Sequence, residues 1–352
     1  MKRIVLVIVF ILFSFTAYAE DYQTLEGESF FNDTVAELKN GDMSISVERV
    51  ISYIYDTIVG EVSSSRDLLL SIFVIALLSG VIGVFNQGTS GVNEAAFFAC
   101  FCLMTIAVIR IIILGVGYVS DVIGGMTAFV TKLAPMLAVL LVSSGYTASA
   151  AAFYPVFSSA VWVISTIMEK CIVPLIYIGC VTGIVNNISQ KARLDNMNRL
   201  IKSFSRWILT GVLTIFSAIN AIYGFCTPTL DGVGIKTIKY AVGSIVPVVG
   251  GFLSESIETV IGGAHLIKNA AGTAGIITLI VICAAPALKI TAIMIMLKLA
   301  SALIEPVSDK RYSDMINEAA EAVTSALAAL LIVTLLFILS IAIIIASTNK
   351  MV

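Results

Sequence analysis

Residues Ala322-VTSALAALLIVTLLFILSIAIII-Ala346 form a run of 25 positions without a single charge. A helix of about 20 apolar residues crosses the hydrocarbon core of a bilayer, so this run alone marks an integral membrane protein. Working outward, residues 68–85 and 207–226 are uncharged over 18 and 20 positions. Residues 95–117 also suffice in length, with Arg110 near one end, where a long cationic side chain reaches the interface or faces protein. The whole chain agrees: 59% of its residues are hydrophobic, 12% are charged and the mean hydropathy is +1.02, whereas soluble domains carry about 25% charged residues. The expected fold is all-α, a polytopic membrane helix bundle.

At the amino terminus, Lys2 and Arg3 precede the apolar run Ile4–Phe15 and then Ala17-Tyr18-Ala19. That order describes a signal peptide over residues 1–19, so the segment that follows begins outside the cytoplasm. Residues 20–66 carry ten acids against Lys39, Arg49 and Arg66, a net of −7. Such a balance disfavours nucleic acid and anionic lipid and suits a protein partner or a cap. Inside it Val47, Val50, Ile51, Ile54, Ile58 and Val62 recur at helical steps, with Glu48, Ser52, Asp56 and Glu61 between them. This is an amphipathic helix whose apolar face packs on the membrane domain or on a partner. The six cysteines lie in or beside apolar segments and give no disulfide framework. Cys100 and Cys102, two apart on a helix, point to nearly opposite sides and cannot grip one metal ion.

Pro135 and Pro174 are echoed by Pro247 and Pro286 at an offset of 112 residues, and the same offset aligns Cys171 with Cys283. The pattern suggests an internal repeat with Pro-broken or re-entrant segments, the way many transporters build a midplane cavity. The implied organisation is a two-span hairpin at 67–117, membrane repeat 1 at 118–226 and membrane repeat 2 at 230–346. Within repeat 1, an apolar segment at 133–153 and a longer one at 156–185 lead to a loop at 186–206 with five bases and one acid, net +4, which belongs in the cytoplasm. Counting every segment as a crossing puts that loop on the wrong side. Reading 156–185 as a re-entrant hairpin, divided at Glu169-Lys170 and Pro174, restores the sign. An inverted repeat of three spans is the competing arrangement; it places the 305–321 loop, net −3, outside.

Ionisable residues at membrane depth cost about 2.5–3.5 kcal/mol each and are functional candidates by default. Glu169 and Lys170 lead, as functional candidates at membrane depth or as the cap of a re-entrant tip. Adjacent helical positions do not face each other, so each needs its own partner or water. Lys289 and Lys298, nine residues apart, fall on opposite helix faces and suit snorkelling to two interfaces. His265, the single histidine, stands near Glu255, Glu258 and Lys268 as a proton relay or a structural residue. The prolines Pro135, Pro174, Pro247 and Pro286 are hinge candidates. Gly232-Val-Gly-Ile-Lys-Thr237 lacks the spacing of a phosphate-binding loop, and there is no H-E-x-x-H helix or Ser/His/Asp set. No catalytic, cofactor or metal site is expected, and any ATP hydrolysis falls to a partner. Ala322/Ala326, Ser325/Ala329 and Ala95/Ala99 allow close helix approach, within one chain or between copies.

Lys239-Tyr-Ala-Val-Gly-Ser-Ile-Val-Pro-Val-Val-Gly-Gly-Phe-Leu-Ser-Glu255, followed by Glu258 and Gly262-Gly263-Ala264, resembles the stage III sporulation protein AE family of endospore-forming bacteria. With the signal peptide, the basic loop and the length, the resemblance extends over essentially the whole chain. It implies a multi-pass protein of the mother-cell membrane around the engulfed forespore. There it would join other membrane and ring-forming products of its operon and a cytoplasmic ATPase in a channel that supports late forespore gene expression. The family supplies no catalytic or binding residue to carry over. A stand-alone secondary transporter or permease with a midplane site near Glu169 and Lys170 is the alternative, and an intramembrane enzyme lacks any motif.

Overall fold

The protein is described by a computed structural model over residues 74–76, 90–188, 194–245, 250–306 and 308–349. The expected signal peptide at 1–19, the acidic segment 20–66 with its expected amphipathic helix, most of the expected span 68–85, and Pro247 lie outside the described residues. The described part is all-α: α1 Ser90–Ser143, α2 Thr147–Ile167, a π turn Met168–Ile172, α3 Val173–Ile188, α4 Asp195–Ile245, α5 Gly250–Ile304 and α6 Lys310–Asn349. Among the described residues, five helical stretches are long and apolar enough to cross a membrane: Phe97–Ser143, Thr147–Asn187, Asp195–Ile222, Ala271–Ile304 and Lys310–Ala346. The chain divides into two compact units, one of Met1–Tyr118, Tyr177–Leu200 and Ala284–Leu327, the other of Val119–Ile176, Ile201–Cys283 and Ala328–Val352.

The first unit is cored by Phe101, Met104 and Val108 of α1, Ile290 and Leu297 of α5, and Tyr312, Met315 and Ile316 of α6, all fully or almost fully buried. Polar side chains in this interior find partners, as burial demands. Tyr312 donates its hydroxyl to Phe97 O at 3.1 Å, Thr105 donates to Met315 Sδ at 3.3 Å, and Ser301 donates to Ser313 O at 2.9 Å. Helix α6 starts where Asp309 Oδ1 accepts the backbone N–H of Arg311 at 3.0 Å, an N-cap that satisfies an otherwise orphaned donor. Burial pushes the Asp309 carboxyl up, but hydrogen bonds from the Arg311 side chain and backbone, and the guanidinium charge, outweigh it and hold the group below its ordinary value.

The second unit buries Met126, Val130, Leu137 and Leu141 of α1 with Phe153, Phe157 and Ile164 of α2 and Leu330, Val333, Leu336 and Phe337 of α6. Glycine lets α5 approach closely: a Cβ on Gly272 would fall 2.5 Å from Ile345 Cδ1, and one on Gly275 2.7 Å from Leu133 Cδ2. The turn between α1 and α2 is a Schellman motif. Gly145 adopts φ 86°; its N–H bonds Val142 O at 2.9 Å while Tyr146 N–H bonds Leu141 O at 3.0 Å. Only glycine enters this left-handed region without a Cβ penalty, so the chain reverses here and not near residue 153.

Several sequence-based expectations are corrected. The stretch 156–185 is no re-entrant hairpin: the helix passes through Glu169 and Lys170 with one π turn, and Val173 N–H bonds Met168 O. Pro174 has no N–H and its ring crowds the carbonyl four residues back; a wider turn just before it carries the helix past that defect. Pro135 and Pro286 lie inside uninterrupted α1 and α5, so they do not break their helices. The aligned positions Pro174 and Pro286 thus differ locally, one following a π turn and one inside an ordinary α-helix. The arm expected to end at 117 runs on to Ser143. The basic and acidic loops shrink to short connections, because α4 begins at Asp195 and α6 at Lys310.

Candidate functional site

In the second unit, the π turn carries the leading pair. Glu169 and Lys170 are both exposed and form no ion pair with each other. Ser165 donates to Glu169 Oε1 at 3.4 Å, one turn earlier on the same face. Glu169 lies 22 residues past Thr147, roughly 33 Å of helix, so a helix entering hydrocarbon at Thr147 has crossed the ~30 Å core by this point.

The same unit hides a charge that sequence reading placed only as a neighbour of His265. Lys268 is fully buried, its ammonium 5.6 Å from the centroid of the Tyr146 ring, itself fully buried behind the Gly145 turn. Burial drives the Lys268 pKa down to about 8, and the aromatic face offers the ammonium partial compensation. His265 stands on α5 three residues earlier; its side chain lies outside the description. Asn220 Nδ2 donates to Ser340 Oγ at 3.1 Å beside a hollow lined by Phe153, Phe157, Phe216 and Ile344. The volume open to a water centre there is about 10 Å³, room for one water.

In the first unit, Lys289 places its ammonium 5.3 Å from the Tyr118 ring centroid, while Lys298 is exposed. The structure therefore does not bring the two lysines together. It assembles instead a polar cluster that sequence reading missed. Asn198 Nδ2 donates to both carboxylate oxygens of Glu318 at 3.1 Å, and the carboxylate lies directly over Gly183. Asn186 closes the α3–α4 connection, its Oδ1 accepting Leu194 N–H and its Nδ2 donating to Asp195 Oδ1, both at 2.7 Å. Asn198 is buried, and its Oδ1 finds no hydrogen-bond partner among the described residues. Helices α3, α4 and α6 are thereby tied by charge-assisted bonds at one level of this unit.

Among the described residues no three His, Cys, Asp or Glu side chains are grouped to hold a metal ion. What the geometry shows is a set of long apolar helices, pinned by a few interior polar contacts. The family model for stage III sporulation protein AE matches residues 30–348. The chain belongs to the stage III sporulation protein AE family. A curated relative, Stage III sporulation protein AE of Bacillus subtilis (strain 168), is 28% identical over 320 residues, covering 90% of this chain and 80% of its own. No solved structure matches. Family membership and the five spans make this a multi-pass sporulation membrane protein.

Proposed function

We propose that this AE-family protein is a membrane component of a multiprotein channel, or secretion-like apparatus, between mother cell and forespore that supports late forespore gene expression. The observation that carries the reading is the family match over residues 30–348; the five apolar helices supply the membrane anchorage such a component needs. The interior contacts are those of a scaffold: Asn198–Glu318 and Asn220–Ser340 fix helices against one another by polar bonds within hydrocarbon-facing bundles. In this reading the protein lies in the mother-cell membrane, its partners are the other membrane and ring-forming proteins of the apparatus, and a separate cytoplasmic ATPase supplies the energy.

Deletion of the gene in its spore-forming host should arrest development after engulfment, with late forespore transcription failing. An affinity-tagged copy that restores sporulation should co-purify with membrane and ring-forming partners from cells taken at that stage. Normal spores from the deletion strain would reject the reading. Solute uptake by the purified protein alone in liposomes, abolished by Glu169→Gln, would favour a stand-alone transporter instead.

A further inference from the structure

The basic start of α4 is more than a topology signal. Ser203, Arg206 and Thr210 are spaced by three and four residues and so form one row along the helix. Arg206 is exposed and anchored by its Nε, which donates to Lys202 O at 3.3 Å, leaving the two outer guanidinium nitrogens directed away from that bond. These nitrogens and the hydroxyls of Ser203 and Thr210 have no protein partner among the described residues. Thr214 behaves differently, turning its hydroxyl back onto Thr210 O at 2.8 Å. Beside the row stand two aromatic rings, Phe204, 53% exposed, and Trp207, 76% exposed. Farther along α4, Ile215 and Ile222 are exposed as well.

All of this lies within the candidate span Asp195–Ile222. Phosphate-binding donors interleaved with exposed aromatic rings, followed farther along the helix by aliphatic side chains, repeat the order of a phospholipid from head group to acyl chain. The charge decides which lipid. No acid occurs on α4 between Asn196 and Ile222, so nothing there receives the ammonium of a zwitterionic head group, whereas Lys202 and Arg206 both favour a net negative one.

We propose that Ser203, Arg206 and Thr210 form a head-group site for an anionic phospholipid, whose acyl chain lies along Phe204, Trp207 and Ile215. This inference does not depend on the channel reading. The chain has two tryptophans, so Trp162→Phe leaves Trp207 as a reporter in the full-length protein. In phosphatidylcholine bilayers, brominated phosphatidylglycerol should quench Trp207 with an apparent association at least about fivefold stronger than brominated phosphatidylcholine. Arg206→Gln should lower that preference by about fivefold, Ser203→Ala with Thr210→Val should lower it less, and Arg110→Gln, at an exposed arginine of α1, should leave it unchanged. Soluble glycerol phosphate should not relieve the quenching. Equal quenching by the two lipids, an unaltered preference in Arg206→Gln, an equal loss in Arg110→Gln, or relief by the soluble phosphate would each overturn the proposal.

Discussion

Gly183→Ala should destabilise the protein, yet stabilise it once Glu318 is gone. A Cβ on Gly183 would stand 2.9 Å from Glu318 Cγ and 2.5 Å from Cδ, distances that side-chain carbons do not tolerate. The carboxylate is the mobile end of a flexible side chain, so it swings aside at little steric cost. What it loses is the Asn198 amide, which donates to both of its oxygens at 3.1 Å. A hydrogen bond to a charged acceptor contributes about 1.5–3 kcal/mol; Glu318 is half-buried, and screening by solvent reduces this to about 2 kcal/mol. Against that, alanine is favoured over glycine in a helix interior by about 1 kcal/mol. Gly183→Ala therefore costs about 1 kcal/mol in the parent protein and gains about 1 kcal/mol in Glu318→Ala, a coupling of about 2 kcal/mol. Denaturant titration of the four full-length proteins in mixed micelles, followed by circular dichroism, measures it. An effect of the same sign and size in both backgrounds would refute the idea that this glycine exists to seat the carboxylate.

Three further outcomes follow from single groups. Gly145→Ala should lower stability by about 1 kcal/mol, the left-handed penalty of ~1–2 kcal/mol less the entropy removed from the unfolded chain, with Gly145→Asn milder, read from the same titration. Asp309 has its folded pKa held below the usual 3.8, so the stability it contributes is complete above the unfolded value and disappears as pH falls through the folded one; acid titration should show a loss of up to about 1 kcal/mol that Asp309→Asn lacks. Lys268 has a folded pKa near 8 against 10.5 unfolded; between those values the unfolded chain binds the extra proton, so stability should rise from pH 8 toward 10.5 and the rise should vanish in Lys268→Met.

The spans were legible because hydrocarbon demands continuous apolar sequence, and 322–346 lies wholly within α6. Their ends were not, because charge was read as loop. From Lys310 onward Tyr312, Ser313, Met315, Ile316, Ala319, Ala320, Ala322 and Val323 are buried, a helical stripe, while Lys310, Asn317 and Glu321 are exposed. The acidic stretch is the amphipathic first third of a long helix. The same holds at the basic stretch, where Asn198, Ile201, Ser205 and Leu209 face inward along α4. Net charge said nothing about backbone. The Ser143-Ser144-Gly145 end of α1 offered a glycine C-cap signal that an uninterrupted apolar average concealed.

Proline position was read correctly and proline consequence was not. A proline removes one donor wherever it stands, but the helix has several ways to absorb the loss, and sequence does not choose among them. Pro174 is accommodated by widening the preceding turn, whereas Pro286 is buried within a regular helix. The candidate charges obey the same logic. The location of Lys289 was visible, since an ionisable residue in apolar sequence is conspicuous, but its ring contact lies far along the chain at Tyr118, as that of Lys268 lies at Tyr146. Only the fold brings each of them to its ring. Contacts of this kind, made between residues far apart in sequence, fasten the helices of each unit at a few defined points.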